Sequence, residues 1–195
     1  VKFQKRTVDK LATKNVLYAK DKRFPDFGNT YKEIRQHLEF NLKQYKDLKI
    51  YAEDKRMDFI VTAFDQEAVD FLDQLQVNVI KIASHSLTNI ELLEYLAKSG
   101  NNIIMSTGMA QLEEIDTAVN IFKKSDCNLI LMHCVSAYPT PLEECNLSMI
   151  DKLRERYSLP IGYSGHEIGW LPTTIAAGMG AKAVERHYTL DKNMV

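Results

Sequence analysis

One feature constrains this chain more than any other. Short apolar runs alternate with longer segments of helical period from one end to the other. The apolar runs fall at 1–4, 59–62, 79–83, 103–106, 129–133, 160–163 and 183–188, and most are rich in Val and Ile with little polar alternation. Strands covered on both faces read this way, because neither face meets water. The segments between them are amphipathic. Residues 31–51 carry Ile34, Leu38, Leu42, Tyr45 and Leu48 at helical spacing, which predicts one helix. Thr30 with Glu33, and Thr88 with Glu91, have capping-box spacing, and Gly100 supplies a stop. Further helices are predicted at 66–75, 111–124, 147–156 and 171–179.

Seven strand units, each but the last followed by a helix, imply parallel strands joined by right-handed crossovers. Two closures compete: a (β/α)8 TIM barrel and an open, doubly wound sheet. No GxGxxG follows the first strand, which weakens a dinucleotide-binding fold. A TIM barrel takes ~250 residues, whereas this chain has 195. The expectation is an α/β TIM barrel of which about seven of the eight strands lie within residues 1–195, as one partial barrel domain. A preceding strand and a closing helix are expected outside it.

Composition excludes several roles. A hydrophobic fraction of 45% supports a sizeable core, and a net charge of -1 gives no electrostatic case for nucleic acid or a membrane surface. No run of about 18 apolar residues predicts a membrane span, and the N-terminal residues lack the apolar core of a secretion signal. Cys127, Cys134 and Cys145 are odd in number without a CxxC pair, which reads as reduced thiols in a cytoplasmic protein. The connection 5–29 has no strong pattern and seven basic residues: Lys5, Arg6, Lys10, Lys14, Lys20, Lys22 and Arg23. It reads as a solvated flap or as a lid over an anionic substrate.

Polar residues gather where strands end, and in a parallel barrel those ends share one rim. Lys2 and Gln4 lie two apart on the first strand, so they share a face. Thr62 ends the second strand, Lys81 and Ser84 the third, and Ser106 and Thr107 the fourth. His133, Ser136 and Tyr138 follow the fifth, and Ser164 and His166 the sixth. Glu185 and His187 share a face of the seventh. His133 has the opposite parity to Cys134 and Ser136, so one set faces outward. His166 and His187 are candidate metal ligands, with positions left open for water and substrate. Glu185 can act as a third ligand, a base, or an orienter of a ligand. Lys2 and Lys81 point inward, where an unpaired ammonium is costly. A bound anion with Thr62, Ser84 and Ser164, or an internal ion pair such as Lys2 with Glu185, compensates them.

Several stretches carry a family resemblance: KFQ at 2–4, GNTYKEIRQHLEF at 28–40, KIAS at 81–84, STGM at 106–109, HCVSAYPTP at 133–141, GYSGHE at 162–167 and ERHYTLDKN at 185–193. In this order they resemble the sialic acid (N-acetylneuraminate) synthase family, including the legionaminate and pseudaminate synthases. The resemblance implies a TIM barrel followed by a small antifreeze-like domain. It also implies a transferase that condenses phosphoenolpyruvate with an N-acylated hexosamine, such as N-acetylmannosamine, and releases phosphate. A divalent metal is implied, Mn2+ first, with Mg2+ or Co2+ as alternatives, and so is a homodimer of the longer protein. Residue by residue, His166 and His187 match the metal ligands. Lys2, Thr62, Lys81, Ser84, Ser136 and Ser164 match positions around phosphoenolpyruvate, and Gln4 and Tyr138 match sugar-contacting positions. Glu185 matches an acidic residue beside the metal and phosphoenolpyruvate, so Glu185 and Lys81 are the catalytic candidates. Where the family has a glycine and an acidic residue after the KIAS-like motif, this chain has His85 and Ser86. A glutamate on the family's first strand and the antifreeze-like domain are expected outside these residues, so the piece alone is expected to be weakly active. The competing readings are a metal-dependent hydrolase, which typically carries an HxH pair absent here, and a non-catalytic binding or assembly fragment.

Overall fold

The structure, a computed structural model, describes residues 1–191. The last two residues of the ERHYTLDKN motif therefore lie outside the described residues. The chain divides into two compact units, residues 1–80 and residues from 81 onward. The division falls inside a strand, and within each unit the strands follow chain order. No helix of the described residues is long and apolar enough to cross a membrane.

In the first unit, β1 (Lys2–Lys5) pairs in parallel with β2 (Ile60–Ala63), with Lys2 opposite Ile60 and Gln4 opposite Thr62. The long connection is more ordered than its pattern predicts. It holds a 3-10 turn (Val8–Lys10) and the short α1 (Lys14–Leu17), and a bridge pairs Lys20 with Thr30. Lys32 reaches back to Asp9 at 2.5 Å, and Thr7 donates to Asp65 from both its backbone N–H and its hydroxyl. These bonds, rather than apolar periodicity, organise residues 5–29.

The helix predicted over 31–51 is two helices, α2 (Tyr31–Leu38) and α3 (Leu42–Asp54). Glu39 is extended, and its carboxylate takes Lys5 at 3.0 Å and Arg6 at 3.3 Å. Asn41 then restarts the helix through a reciprocal capping box with Gln44. The apolar spacing survives the break, which is why periodicity alone misses it. Tyr45 on α3 is buried against Phe3, Phe59 and Phe71, and its hydroxyl donates to the Gln4 carbonyl at 2.5 Å. That contact anchors the end of β1. Burial pushes the Tyr45 phenol well above its ordinary range. Asp65 caps α4 (Gln66–Gln74), whose Ala68, Val69 and Leu72 are buried.

The strand β3 (Val79–Ile82) leads into the second unit, followed by β4 (Asn102–Ser106), β5 (Leu129–Cys134), β6 (Ile161–Ser164) and β7 (Val184–Glu185). β4 to β7 are paired in parallel. The crossovers are α5 (Ile90–Ser99), α6 (Leu112–Phe122), α7 (Met149–Tyr157) and α8 (Leu171–Gly178). α5 is capped by Asn89, which accepts from the Leu92 N–H, and not by the predicted Thr88–Glu91 box. Gly100 ends it at φ 72° as predicted, since the left-handed region costs glycine nothing. Leu92, Leu93 and Leu96 of α5, with Ile115, Val119 and Phe122 of α6, are buried in the core. Full burial of each such side chain stabilises by about 1.5–3 kcal/mol. Met105 and Met132 fill core space, but Met57 and Met109 are exposed. The three cysteines are free thiols, as expected.

The seventh strand is much shorter than the predicted 183–188. It stops at Glu185, so His187 lies beyond it.

Candidate active site

The β5–β6–β7 register builds the site. Cys134 lies opposite Ser164, and Ser164 opposite Glu185. Alternation along each strand sends these side chains to one face. Ser164 Oγ donates to Glu185 Oε1 at 3.1 Å, and Lys81 Nζ lies 3.5 Å from the same oxygen. Lys81 also donates to Ser106 Oγ at 2.5 Å. Lys81, Ser106 and Ser164 are buried, each at 3% exposure, while the Glu185 side chain keeps 24%. A buried ammonium is thus compensated by a carboxylate that still has an open side. The ion-pair alternative holds for Lys81, with Glu185 as its partner.

A second group adjoins in chain order. Ser84 Oγ accepts from the Gly108 N–H at 3.0 Å and lies 3.2 Å from Cys134 Sγ. A Cβ on Gly108 would meet Cys134 Sγ at 2.6 Å, Ser136 Oγ at 2.8 Å and Ser84 Oγ at 3.0 Å. The missing side chain is what lets three small polar groups crowd around Gly108, one of them accepting from its N–H.

The third group is aromatic. His166 Nδ1–H donates to the Val135 carbonyl at 2.7 Å, which fixes the tautomer and leaves the Nε2 lone pair free to accept. Nε2 accepts from the Tyr138 hydroxyl at 2.9 Å. The His187 ring lies 5.6 Å from that of His166 and 5.7 Å from that of Tyr138, centroid to centroid. Burial raises the Tyr138 phenol above its ordinary range, so the hydroxyl remains a donor at neutral pH. Two imidazoles side by side, one oriented by a backbone carbonyl, could hold a divalent cation if Tyr138 yields the His166 Nε2 lone pair. Among the described residues, no third His, Cys, Asp or Glu completes a metal cluster.

His133 has the other parity. It is buried beside the Tyr163 ring and donates from Nε2 to the Cys145 carbonyl at 2.8 Å. It is therefore the outward-facing member of the pair of sets left open by the sequence. Burial depresses its pKa.

Lys2 is half-buried on β1, and exposed Gln4 accepts from Arg6. Thr62 is 1% exposed, and its hydroxyl has no hydrogen-bond partner among the described residues. Sequence reasoning passed over Gly108, Cys134, Glu167 and Arg186. Glycine and cysteine carry no charge pattern to follow, and Glu167 and Arg186 sit at positions between the inward-facing residues.

The NeuB family model matches residues 1–195. The chain belongs to the NeuB family. It is 37% identical over 203 residues to the N,N'-diacetyllegionaminic acid synthase of Campylobacter jejuni, covering 100% of this chain and 59% of that protein. It is 36% identical over 192 residues to the human N-acetylneuraminate-9-phosphate synthase, covering 98% of this chain and 54% of that protein. Among solved structures, the N-acetylneuraminic acid synthetase of Leptospira borgpetersenii in complex with citrate matches with a TM-score of 0.79 and 40% identity, over 86% of this chain and 60% of that one. The chain thus spans little more than half the length of these NeuB-family relatives. The α/β, TIM-barrel-type fold expected from the βα repeat holds, with seven parallel strands among the described residues.

Proposed function

We propose that these residues belong to a synthase that joins phosphoenolpyruvate to an N-acylated hexosamine, forming a sialic-acid-type nonulosonic acid and releasing phosphate. The observation that carries this reading is the Lys81–Ser106–Glu185–Ser164 cluster beside the Tyr138–His166–His187 group. A buried ammonium among hydroxyls suits a phosphate and carboxylate, and the aromatic group suits a cation and a sugar. The buried, unpartnered Thr62 hydroxyl supports a polar ligand at the end of β2.

In this reading, Lys81, Ser84, Ser136 and Ser164 hold phosphoenolpyruvate and Tyr138 contacts the sugar, while within the first unit Lys2, Gln4 and Thr62 keep the binding roles that the resemblance implies. His166 and His187 would hold a divalent metal, Mn2+ in the first instance, which when bound would supply Lewis-acid polarisation of a carbonyl oxygen. The methylene carbon of phosphoenolpyruvate attacks the aldehyde carbon: a C–C bond forms, the C=O π bond opens, and the oxygen takes up a proton to become a hydroxyl. Positive charge left at the neighbouring enol carbon is taken up by water. Glu185, a carboxylate with an open side, accepts the proton that this water releases. The resulting tetrahedral centre then collapses: its hydroxyl gives up a proton and becomes the keto oxygen as the C–O bond to phosphate breaks and phosphate leaves. Lys81 and the hydroxyls keep the phosphate and carboxylate oriented throughout, which lowers the barrier by positioning. A cytoplasmic homodimer is part of the same proposal, and it agrees with the three free thiols.

The test is phosphate release by the protein at its full natural length, with phosphoenolpyruvate, Mn2+ and each candidate amino sugar in turn. Release that needs both substrates and is lost in His166→Ala is the expected result. No release with any sugar, from folded protein, would overturn the proposal.

A further inference from the structure

Each candidate metal ligand has a charged neighbour in sequence, Glu167 after His166 and Arg186 before His187. These neighbours meet. The Glu167 side chain is fully buried, at 0% exposure, and Arg186 Nη1 donates to its Oε1. Arg186 Nη2 donates to the backbone carbonyls of Glu167 at 2.5 Å and Gly169 at 2.8 Å. The Tyr163 hydroxyl donates to Glu167 Oε2 at 2.9 Å, and Thr173 Oγ1 donates to Oε1 at 3.4 Å. A Cβ on Gly165 would meet Arg186 Nη1 at 2.4 Å, so the glycine leaves room for the guanidinium.

One guanidinium from the segment after β7 therefore closes on a carboxylate and two carbonyls of the loop after β6. A planar fork of fixed donors can do this, whereas a single ammonium cannot. The tether is needed because β7 is only two residues long. The last ladder bond, from the Gly165 N–H to the Glu185 carbonyl at 3.1 Å, stops short of both histidines. Both histidines thus lie beyond the end of the β6–β7 ladder among the described residues.

We infer that the Glu167–Arg186 pair is a positioning device for His166 and His187. It locks the loop after β6 to the segment after β7, and so presets the separation of the two imidazoles. This inference rests on the reading of those histidines as ligands of a divalent cation. Outer residues that orient ligands set metal affinity, because a cation rewards only ligands already near their bound geometry.

The test uses the protein at full natural length, with Mn2+ alone as the probe and electron paramagnetic resonance to separate free from bound ion. Hydrogen exchange on metal-free protein gives a second readout. Glu167→Gln and Arg186→Lys should raise the Mn2+ Kd by ~10–100-fold. Both should speed amide exchange at 165–170 and 184–188 while circular dichroism stays unchanged. Tyr163→Phe, which removes one hydrogen bond, should give a smaller rise. It decides the matter alone if the other two variants fail to fold. A purely structural role would lower the melting temperature and leave Mn2+ affinity at the parent value, which overturns the proposal. His166→Ala separates the two levels. Mn2+ binding that survives it overturns the ligand reading and this inference together. Binding lost there, but unchanged in the three other variants, overturns this inference alone.

Discussion

Ser164 and Glu185 face each other across the β6–β7 ladder, with Ser164 Oγ donating to Glu185 Oε1 at 3.1 Å, and that oxygen is also the one 3.5 Å from Lys81 Nζ. One carboxylate oxygen thus organises a hydroxyl and an ammonium that are both buried. Lys81→Met keeps most of the side-chain volume and removes the charge. Turnover should fall by ~100-fold or more, as when one oriented donor is taken from a site of developing charge. Stability should fall by about 1–3 kcal/mol, because Ser106 and Glu185 lose a partner. Steady-state phosphate release and urea denaturation of the variant measure the two effects; activity within threefold of the parent would rule out the role given to Lys81.

Gly108 is the point of closest approach among Ser84, Cys134 and Ser136. Gly108→Ala places a methyl group at 2.6 Å from Cys134 Sγ, and none of the three neighbours is a long side chain able to swing away. Overpacking of this kind costs about 1–3 kcal/mol. The Ser84 hydroxyl should also lose its bond from the Gly108 N–H, raising KM for phosphoenolpyruvate. Thermal unfolding and a substrate titration check both expectations.

His133 is held neutral by burial, with a pKa below the ordinary histidine value. In the unfolded chain it titrates near ~6.5. Above that pH both states are neutral, and the full stability is present. As pH falls below it, the unfolded chain takes up a proton that the folded state refuses, so stability declines until the folded pKa is passed. The urea midpoint should therefore drop between pH 7.5 and 5.5, and His133→Gln should flatten that drop. An identical pH slope in the variant would show that His133 contributes nothing to it.

Asn41 restarts the helix after the Glu39 break. Asn41→Ala removes one half of the box and should cost about 1 kcal/mol. The two helices should stay separate, because the Glu39 carboxylate still holds Lys5 and Arg6. A lowered urea midpoint with an unchanged far-ultraviolet spectrum is the expected pair of results; a gain in helical signal would mean that the cap alone makes the break.

The period of the apolar runs determined the βα order, because a strand covered on both faces and a helix covered on one leave different spacings in the sequence. The two-residue alternation likewise set His133 on the opposite face from Cys134 and Ser136, but left open which of the two faces the site. Three features were decided only in the tertiary structure. The break at Glu39 depends on Lys5 and Arg6, more than 30 positions away in the chain. The early end of β7 is not marked in the run 183–188, which holds no Gly or Pro, since a strand lasts only while a neighbour offers hydrogen-bond partners. The Glu167–Arg186 pair joins residues 19 apart that alternation assigns merely to the other side. The sequence by itself determines which side chains along a strand share a face, because that follows from local backbone geometry. Which charge meets which is a property of distance in space, and only the folded chain sets it.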